Sequence, residues 1–341
     1  MTVLLSQFLR RGLSTMSSKP GLLLIGRLQY CQPEWNALGS TYNLLQFQGD
    51  REQFLKDCES GAFNGIKGLY RTNSIAETGN FDQALVSKLP DTLKYIGHNG
   101  AGYDNIDVKV CAARGIRISN TPKVVANATA DVAMFLILGA LRHAMIPLES
   151  VRNNEWKGKT PIDRDPEDKV LGILGMGGIG QALARRARAF DMKIIYYNRT
   201  RLSEQEEGDA THVTFDELLQ QSDILSLNLP LTTATHHLIS EQEIQKMKDG
   251  VIIINTARGP LLDEDALVKG LQSGKVGSAG LDVYENEPKI HPELVNNKKV
   301  MLLPHLGTTT LETKRKMELL TIRNLESALD KGELLTPIAM L

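Results

Sequence analysis

The segment VLGILGMGGIG, residues 170–180, contains the most specific fold signal of this 341-residue chain. Its first five residues, Val170–Leu174, are a short apolar run of the kind that forms a buried parallel strand. Glycines follow in the spacing G-x-G-x-x-G, at Gly175, Gly177 and Gly180, and lead into an amphipathic stretch. A strand, a tight glycine turn and a helix in direct succession predict one unit of a doubly wound α/β domain.

The glycine turn predicts a binding site for the pyrophosphate of a dinucleotide. Gly175 permits the tight turn, Gly177 lets the backbone approach a phosphate, and Gly180 lets the helix pack closely on the strand. Free N–H groups at the start of the helix, at Gly178 and Ile179, favour a bound anion. We therefore expect a dinucleotide cofactor here.

The end of the next strand indicates which dinucleotide is preferred. The predicted strand 193–197 is followed by Asn198, Arg199 and Thr200, where an NAD site usually has an acidic residue for the ribose 2′-hydroxyl. Because Arg199 offers a planar cation suited to a 2′-phosphate, we predict NADPH as the preferred cofactor, with NADH possible. Asn198 and Thr200 would add neutral hydrogen bonds. The alternative is that Arg199 and Arg201 are ordinary solvated loop residues.

Alternating apolar and amphipathic stretches extend this pattern over most of the chain. The first series of predicted strands comprises residues 22–25, 68–70, 95–97 and 116–119. The second series comprises residues 170–174, 193–197, 224–228, 251–255, 278–281 and 300–303. Such alternation predicts an α/β chain with two parallel sheets, Rossmann-like or flavodoxin-like, flanking a cleft. We assign residues 21–121 and 305–341 to a substrate domain and residues 122–304 to the dinucleotide-binding domain.

Composition excludes several classes of protein. Lys and Arg total 39 and Asp and Glu 40, a net charge of −1, which argues against a broad nucleic-acid-binding surface. Three separated cysteines fit neither a disulfide framework nor a metal site, so we predict buried thiols and no metal. The longest apolar run, residues 132–141, is too short for roughly 30 Å of hydrocarbon, so we predict a buried helix and no membrane span.

The first twenty residues differ from the rest of the chain. They carry Arg10, Arg11 and Lys19 and no acidic residue, so their net charge is +3 against −4 for the remainder. Apolar residues group on one side of a helical wheel over residues 3–13, and basic and polar residues on the other. This is typical of a mitochondrial presequence, and a disordered tail is the alternative. Met16 as a second start would give a cytosolic form.

Three further segments follow strands of the second series, where ligands bind in open α/β sheets. Arg258 follows one strand, an acidic segment at residues 282–288 follows the next, and His305 follows the last. Arginine holds a carboxylate through two parallel hydrogen bonds, and histidine transfers a proton near neutral pH. A carboxylate beside that histidine would orient its ring and favour its charged form. The three segments therefore predict hydride-transfer chemistry on a carboxylic acid.

The sequence resembles the D-isomer-specific 2-hydroxyacid dehydrogenases from about Leu22 onward. The glycine turn carries part of this resemblance. The other matching segments are Asn99–Asp107 (NGAGYDNID), Ser119–Pro122 (SNTP), Thr256–Gly259 (TARG), Asp282–Pro288 (DVYENEP) and Pro304–Gly307 (PHLG). Within the family, residues 198–199 and 285–290 are most similar to the fungal glyoxylate/hydroxypyruvate reductases.

The resemblance implies a role for each group of the predicted active site. Arg258 would bind the substrate carboxylate and help to polarise the adjacent carbonyl, and His305 would be the general acid in reduction. Glu287 would pair with His305 and keep it protonated until transfer. Glu285 is the rival, but the catalytic acid of the family directly precedes the proline, here Pro288.

The resemblance also implies contacts to substrate and cofactor. The backbone N–H groups of Gly100, Ala101 and Gly102 would grip the substrate carboxylate, together with Arg258 and His305. Asp282 would bond the nicotinamide amide. The remaining implied cofactor contacts are Pro230, Thr256, Ala257 and Gly307.

Together these features predict an NADPH-dependent reductase of small 2-oxo acids such as glyoxylate and hydroxypyruvate, D-specific where the product is chiral. The resemblance also implies a homodimer through the long helix near residues 124–142. Two alternatives remain open: a dehydrogenase for aromatic substrates such as phenylglyoxylate and D-mandelate, and a non-catalytic dinucleotide-sensing protein of the same fold. A formate dehydrogenase is disfavoured because Glu287 stands where that branch has a neutral amide.

Overall fold

A computed structural model of the chain describes residues 19–72 and 76–339. The leader predicted at residues 1–20 therefore lies outside the described residues, apart from Lys19 and Pro20.

Twelve strands and thirteen α-helices are formed within the described ranges. The strands are β1 Gly21–Ile25, β2 Asn43–Phe47, β3 Ile66–Thr72, β4 Tyr95–Asn99, β5 Arg117–Ser119, β6 Val170–Leu174, β7 Lys193–Tyr197, β8 Thr211–His212, β9 Ile224–Leu227, β10 Val251–Asn255, β11 Val276–Leu281 and β12 Val300–Leu302. The helices are α1 Gln32–Ala37, α2 Arg51–Ser60, α3 Gln83–Val86, α4 Val108–Ala113, α5 Ala126–Leu141, α6 Met145–Arg152, α7 Gly178–Arg188, α8 Glu204–Glu207, α9 Phe215–Gln221, α10 Glu241–Lys246, α11 Glu264–Ser273, α12 Pro292–Val295 and α13 Leu311–Lys331.

The strands form two parallel sheets, as the sequence predicts. The first has the order β2-β1-β3-β4-β5, and the second has the order β12-β11-β10-β9-β6-β7-β8. All ladder pairs in both sheets are parallel. The first order is that of flavodoxin-like sheets, and the second reverses direction at β6, which precedes the glycine turn. The predicted α/β fold class is confirmed.

Two long helices pack against different sheets. The apolar residues Ile322 and Leu325 of α13 share a buried cluster with Leu22 of β1, so the end of the chain returns to the first sheet. Residues of α5 share a buried cluster with β6 and β10 of the second sheet. The apolar run predicted as a buried helix lies within α5, which is mostly buried.

The structure corrects three predictions of secondary structure. Strand β2, at Asn43–Phe47, was not predicted because Gln46 interrupts its apolar pattern, yet it forms on the open edge of β1. Strand β8 is only two residues long, too short to give a periodic signal. The amphipathic stretch 81–88, which the alternating pattern predicts to be a helix between two strands, is helical only at Gln83–Val86, because Asp82 caps the helix and Phe81 pairs with Ile106.

The three cysteines are buried in the core, as the sequence predicts. Cys31, Cys58 and Cys111 are buried free thiols, and burial raises the pKa of Cys58 and of Cys111 to about 11. In the described part of the chain, no single helix is long and apolar enough to cross a membrane. The pair α5 and α6 reaches that length only together, with a bend of 75° between the two helices.

Candidate active site

The glycine turn between β6 and α7 has the geometry that a pyrophosphate site requires. Gly175 has a φ of +100°, and a Cβ there would lie 2.9 Å from the backbone carbonyl of Asn228. A Cβ on Gly180 would lie 2.5 Å from the Gly175 oxygen, so only glycine allows the helix this close to the turn. A Cβ on Gly177 would meet nothing within 4 Å, which leaves open space beside the backbone. The turn therefore fits a dinucleotide.

The two arginines that follow β7, Arg199 and Arg201, differ in whether they have a partner among the described residues. Arg201 donates to the buried carboxylate of Glu207 from Nε at 2.7 Å and from Nη2 at 2.9 Å. Arg199 and Thr200 are exposed, and the Arg199 guanidinium has no hydrogen-bond partner within residues 19–72 and 76–339. Asn198 ties this loop to the glycine turn, because its Oδ1 accepts the Met176 N–H at 2.7 Å. Arg199 is thus the arginine available for a ligand.

Arg258 lies in the cleft between the two sheets. Its Nε donates to Oδ1 of Asp104 at 2.8 Å, and its Nη1 donates to the carbonyl of Ala257 at 2.7 Å. Its Nη2 lies against the loop of residues 100–102 in the first domain, the domain of the first sheet. A Cβ on Gly102 would be only 1.7 Å from that nitrogen. The guanidinium is therefore oriented toward the loop predicted to bind a carboxylate.

That loop requires one correction. The N–H of Gly100 donates to the carbonyl of His98 at 3.0 Å, so it does not bind a carboxylate in this geometry. Gly100, Ala101 and Gly102 nevertheless all line the cleft, together with Arg258. Tyr103 and Asp104 line it as well, which extends the predicted loop by two residues.

His305 and Glu287 form the predicted dyad. Nδ1 of His305 lies 2.9 Å from Oε2 of Glu287, so the ring nitrogen donates to the carboxylate and Nε2 is left on the opposite side of the ring. The other carboxylate oxygen accepts the Tyr284 N–H at 3.1 Å. Burial raises the pKa of Glu287, but the hydrogen bond and charge of His305, with smaller help from Tyr284 and Arg258, outweigh it and hold the pKa below its ordinary value.

The structure shows that Glu287, and not Glu285, pairs with His305. The Oε1 of Glu285 accepts the N–H of Glu264 at the start of α11, at 2.8 Å. The N–H of Glu285 in turn donates to Oε1 of Glu264 at 3.0 Å. Glu285 is therefore bound to a helix start, while Glu287 alone of the two bonds His305.

Asp282 holds the turn that carries His305. Its carbonyl accepts the His305 N–H at 2.8 Å, and its two carboxylate oxygens accept the N–H groups of Leu306 and Gly307 at 2.6 and 2.8 Å. This matters because His305 has a φ of +55°, a conformation that non-glycine residues rarely adopt. Burial raises the pKa of Asp282 against the opposing effect of those two N–H groups. Its predicted contact to the nicotinamide amide stays a prediction.

The other predicted cofactor residues meet in the same cleft. It is lined by Ile179, Pro230, Thr256, Ala257, Asp282, His305 and Gly307, together with the loop of the first domain and Arg258. Sequence reasoning missed Asp104 and His98, which contact Arg258 and the loop. Asp104 lies within the segment NGAGYDNID and His98 directly precedes it, but only the backbone N–H groups of residues 100–102 were predicted from that segment.

Comparison with known proteins agrees with this geometry. Residues 134–307 match the D-isomer specific 2-hydroxyacid dehydrogenase, NAD binding domain. The "4-methyl-2-oxopentanoate reductase A" of Aspergillus oryzae is 57% identical over 319 residues, which are 93% of this chain and 97% of that protein.

Solved structures extend the likeness to both domains. The crystal structure of a glyoxylate reductase from Paecilomyes thermophila has a TM-score of 0.93 and 57% identity, and the match covers 95% of this chain and 99% of that one. An NADPH-dependent glyoxylate/hydroxypyruvate reductase of Sinorhizobium meliloti, solved with NADP and malonate, has a TM-score of 0.82 and 30% identity over 95% and 98% of the two chains. With the family's NAD-binding domain matched over residues 134–307 and relatives that are similar over almost the whole chain, this chain belongs to the D-isomer specific 2-hydroxyacid dehydrogenase family.

Proposed function

We propose that this enzyme uses NADPH to reduce small 2-oxo acids, glyoxylate and hydroxypyruvate first among them, to 2-hydroxy acids of D configuration where chiral. The observation that carries the proposal is the convergence of Arg258 and the His305–Glu287 dyad on one cleft beside the glycine turn. A carboxylate anchor and a proton donor on one side, and a dinucleotide site on the other, are the groups that this reduction needs.

The chain's own residues would divide the chemistry as follows. Arg258 and the loop of the first domain bind the substrate carboxylate and fix the position of the 2-oxo group. A bound NADPH supplies the hydride for the carbonyl carbon. The Nε2 proton of His305 passes to the carbonyl oxygen as negative charge develops there. Glu287 stabilises the positive ring and holds its orientation through the 2.9 Å bond to Nδ1.

The preference for NADPH rests on the end of β7. Arg199 is exposed and unpaired among the described residues, whereas the charge of Arg201 is compensated by Glu207. The first residues after β7 are Asn198, Arg199 and Thr200, none of them acidic. A single available guanidinium at this place favours a 2′-phosphate over a free 2′-hydroxyl.

A substrate panel tests the function directly. Purified protein is assayed by NADPH oxidation with glyoxylate, hydroxypyruvate, 4-methyl-2-oxopentanoate and phenylglyoxylate, and each assay is repeated with NADH. We expect the highest kcat/KM with glyoxylate or hydroxypyruvate and NADPH. Preference for 4-methyl-2-oxopentanoate, the substrate in the name of a relative, or for phenylglyoxylate would move the enzyme to a bulkier substrate class. Cofactor binding without turnover of any 2-oxo acid would instead favour the dinucleotide-sensing alternative.

We also propose that the protein is a homodimer through α5, α6 and the segment after them. Apolar side chains that each expose half or more of their surface cluster in this stretch: Phe135, Leu148, Val151, Trp156 and Ile162. Exposed apolar groups at this density are typical of a subunit interface. Light scattering on the eluted protein should give about twice the 37.7 kDa chain mass. An unchanged dimer in a Leu148→Glu, Val151→Glu double variant would place the interface elsewhere.

For localisation we propose mitochondrial import from Met1 and a cytosolic form from Met16. The proposal rests on the basic, acid-free leader. Fluorescent fusions that start at Met1 and at Met16 should differ, with only the longer one in mitochondria. Identical diffuse cytosolic signals would contradict import.

A further inference from the structure

The loop of residues 100–102 is anchored through its three successive carbonyl groups. The three bonds run from the Thr121 N–H to Gly100 at 2.9 Å, from Asn120 Nδ2 to Ala101 at 2.7 Å and from His98 Nε2 to Gly102 at 2.9 Å. Each carbonyl thus has its own donor, and two of the donors are side chains.

These bonds fix the direction of the N–H groups one residue further along. In a trans peptide, the carbonyl of one residue and the N–H of the next point in opposite directions. The peptides of this loop are trans, since the cis peptide found among the described residues is Glu287–Pro288. The N–H groups of Ala101, Gly102 and Tyr103 therefore point away from the three donors. None of them donates to an acceptor in the part of the chain that the structure describes, and all three residues line the cleft.

Arg258 lies directly against this loop and lines the same cleft. Its Nη2 is so close to Gly102 that a Cβ there would lie 1.7 Å away. Three backbone N–H groups without an acceptor among the described residues, and a guanidinium, thus line the same cleft. A carboxylate is the ligand that such a set of donors binds.

His98 is held in one tautomer by Arg71. The Arg71 guanidinium is always a donor and lies 3.1 Å from Nδ1, so Nδ1 accepts and the proton of the ring is on Nε2. That proton is the one donated to Gly102. Both side chains are fully buried, and burial, with the charge of Arg71, lowers the pKa of His98 to about 3, which keeps the ring neutral.

Asn120 is held from the other side by the C-terminal segment. Oγ1 of Thr336 donates to the Asn120 carbonyl at 2.6 Å, and the Asn120 N–H donates to the Thr336 carbonyl at 3.3 Å. The side chain that anchors Ala101 is therefore fixed by its own backbone.

We propose that His98 and Asn120 are positioning residues for substrate binding: they orient the loop peptides so that the N–H groups of residues 101–103 bind the substrate carboxylate opposite Arg258. The inference rests on the proposed function and adds to it two side chains that do not touch the substrate. Without either donor, one peptide of the loop is free to rotate, and the carboxylate loses an aligned partner.

A pair of variants at His98 tests this. In His98→Asn the amide occupies the place of Nδ1, so it bonds Arg71 but does not reach Gly102. In His98→Gln the amide nitrogen occupies the place of Nε2 and retains the bond to Gly102. We expect His98→Asn to raise KM for glyoxylate and Kd for oxamate about tenfold, the effect of one lost buried hydrogen bond. His98→Gln should stay within about twofold of the wild type, and both variants should bind NADPH normally.

Asn120→Ala provides a second test. Asn120 is only partly buried, so its substitution should disturb folding less than a substitution at the fully buried His98. It should raise the same two constants severalfold and leave kcat and the Kd for NADPH close to wild type. Equal constants for His98→Asn and His98→Gln, or a loss of stability in Asn120→Ala with unchanged KM and oxamate Kd, would overturn the inference. A failure of the proposed function would give a different result from a failure of this inference: the wild type itself would neither reduce a 2-oxo acid nor bind oxamate.

Discussion

Arg258 and Asp104 form an ion pair across the cleft, with Nε of the arginine 2.8 Å from Oδ1 of the aspartate. Asp104 belongs to the chain segment of the first sheet and Arg258 to that of the second. The pair fixes the guanidinium while Nη2 faces Gly102. It also places a negative charge next to the group that binds an anionic substrate, so its two effects on substrate binding oppose each other.

Two variants separate these effects. Asp104→Asn keeps an acceptor for Arg258 and removes the negative charge, so KM for glyoxylate should be equal to or lower than that of the wild type. Asp104→Ala removes the acceptor too, and KM should rise about three- to tenfold because the guanidinium loses its orientation. Steady-state kinetics with glyoxylate checks both. A rise in Asp104→Asn as large as that in Asp104→Ala would mean that the charge itself supports binding.

Gly102→Ala should strongly weaken substrate binding by displacing Arg258. The new Cβ would lie 1.7 Å from Nη2 of Arg258, so the arginine must leave its position. We expect kcat/KM for glyoxylate to fall roughly a hundredfold or more, with the Kd for NADPH unchanged. Gly39→Ala is the control, because its nearest neighbour would be a Leu44 side-chain atom at 3.5 Å, far from the cleft. Near-normal turnover in Gly102→Ala would contradict the position of Arg258.

Substitution of either His305 or Glu287 should lower the rate of reduction. His305→Ala removes the proton donor, and kcat/KM should fall roughly 10²–10⁴-fold. Glu287→Gln keeps the shape but removes the charge that faces the imidazole ring, so kcat/KM for reduction should fall. Glu285→Gln is the matched control and should leave kcat/KM unchanged, because Glu285 bonds Glu264 and not His305. Cofactor binding by fluorescence should persist in all three proteins. An active His305→Ala enzyme would disprove the mechanism.

Arg199 should control the choice of cofactor. Arg199→Ala removes the available guanidinium, so kcat/KM with NADPH should fall about tenfold or more while that with NADH changes little. Arg201→Gln removes the same charge from the same loop but acts on a side chain already bound to Glu207. It should leave the NADPH-to-NADH ratio unchanged. A wild type that favours NADH would refute the assignment.

The contribution of Glu207 to the stability of the folded protein should be lost at acidic pH. Hydrogen bonds from Arg201 and then from Tyr196 lower its pKa from 4.5 to about 2. Because the folded value is the lower one, the stabilisation is complete above about pH 4.5 and is lost as pH falls toward 2. Unfolding midpoints of wild type and Glu207→Gln should therefore differ at pH 6 and converge toward pH 3. Glu204→Gln, a matched change on the same helix, should show no such convergence. A constant difference for Glu207→Gln would contradict this ion pair.

The fold class and the dinucleotide site could be predicted without the structure, because both depend on local patterns. Strand Val170–Leu174, the glycine turn and the helix after it are consecutive, and each glycine is required by its nearest neighbours. The segments that carry Arg258, the acidic residues 282–288 and His305 could likewise be predicted, since each follows a strand of one parallel sheet. Within the acidic segment, only the family resemblance favoured Glu287 over Glu285.

Which side chains face one another could not be predicted from the sequence and depends on the packing of the folded chain. Glu285 and Glu287 are two residues apart, and the turn after β11 alone sends one to α11 and the other to His305. Arg199 and Arg201 differ only in that Glu207 lies beside one of them. Asp104 and Arg258 are 154 residues apart in the sequence. Such contacts come from the packing of distant segments, and the orientation of the loop peptides comes from donors at positions 98, 120 and 121, which no local pattern specifies.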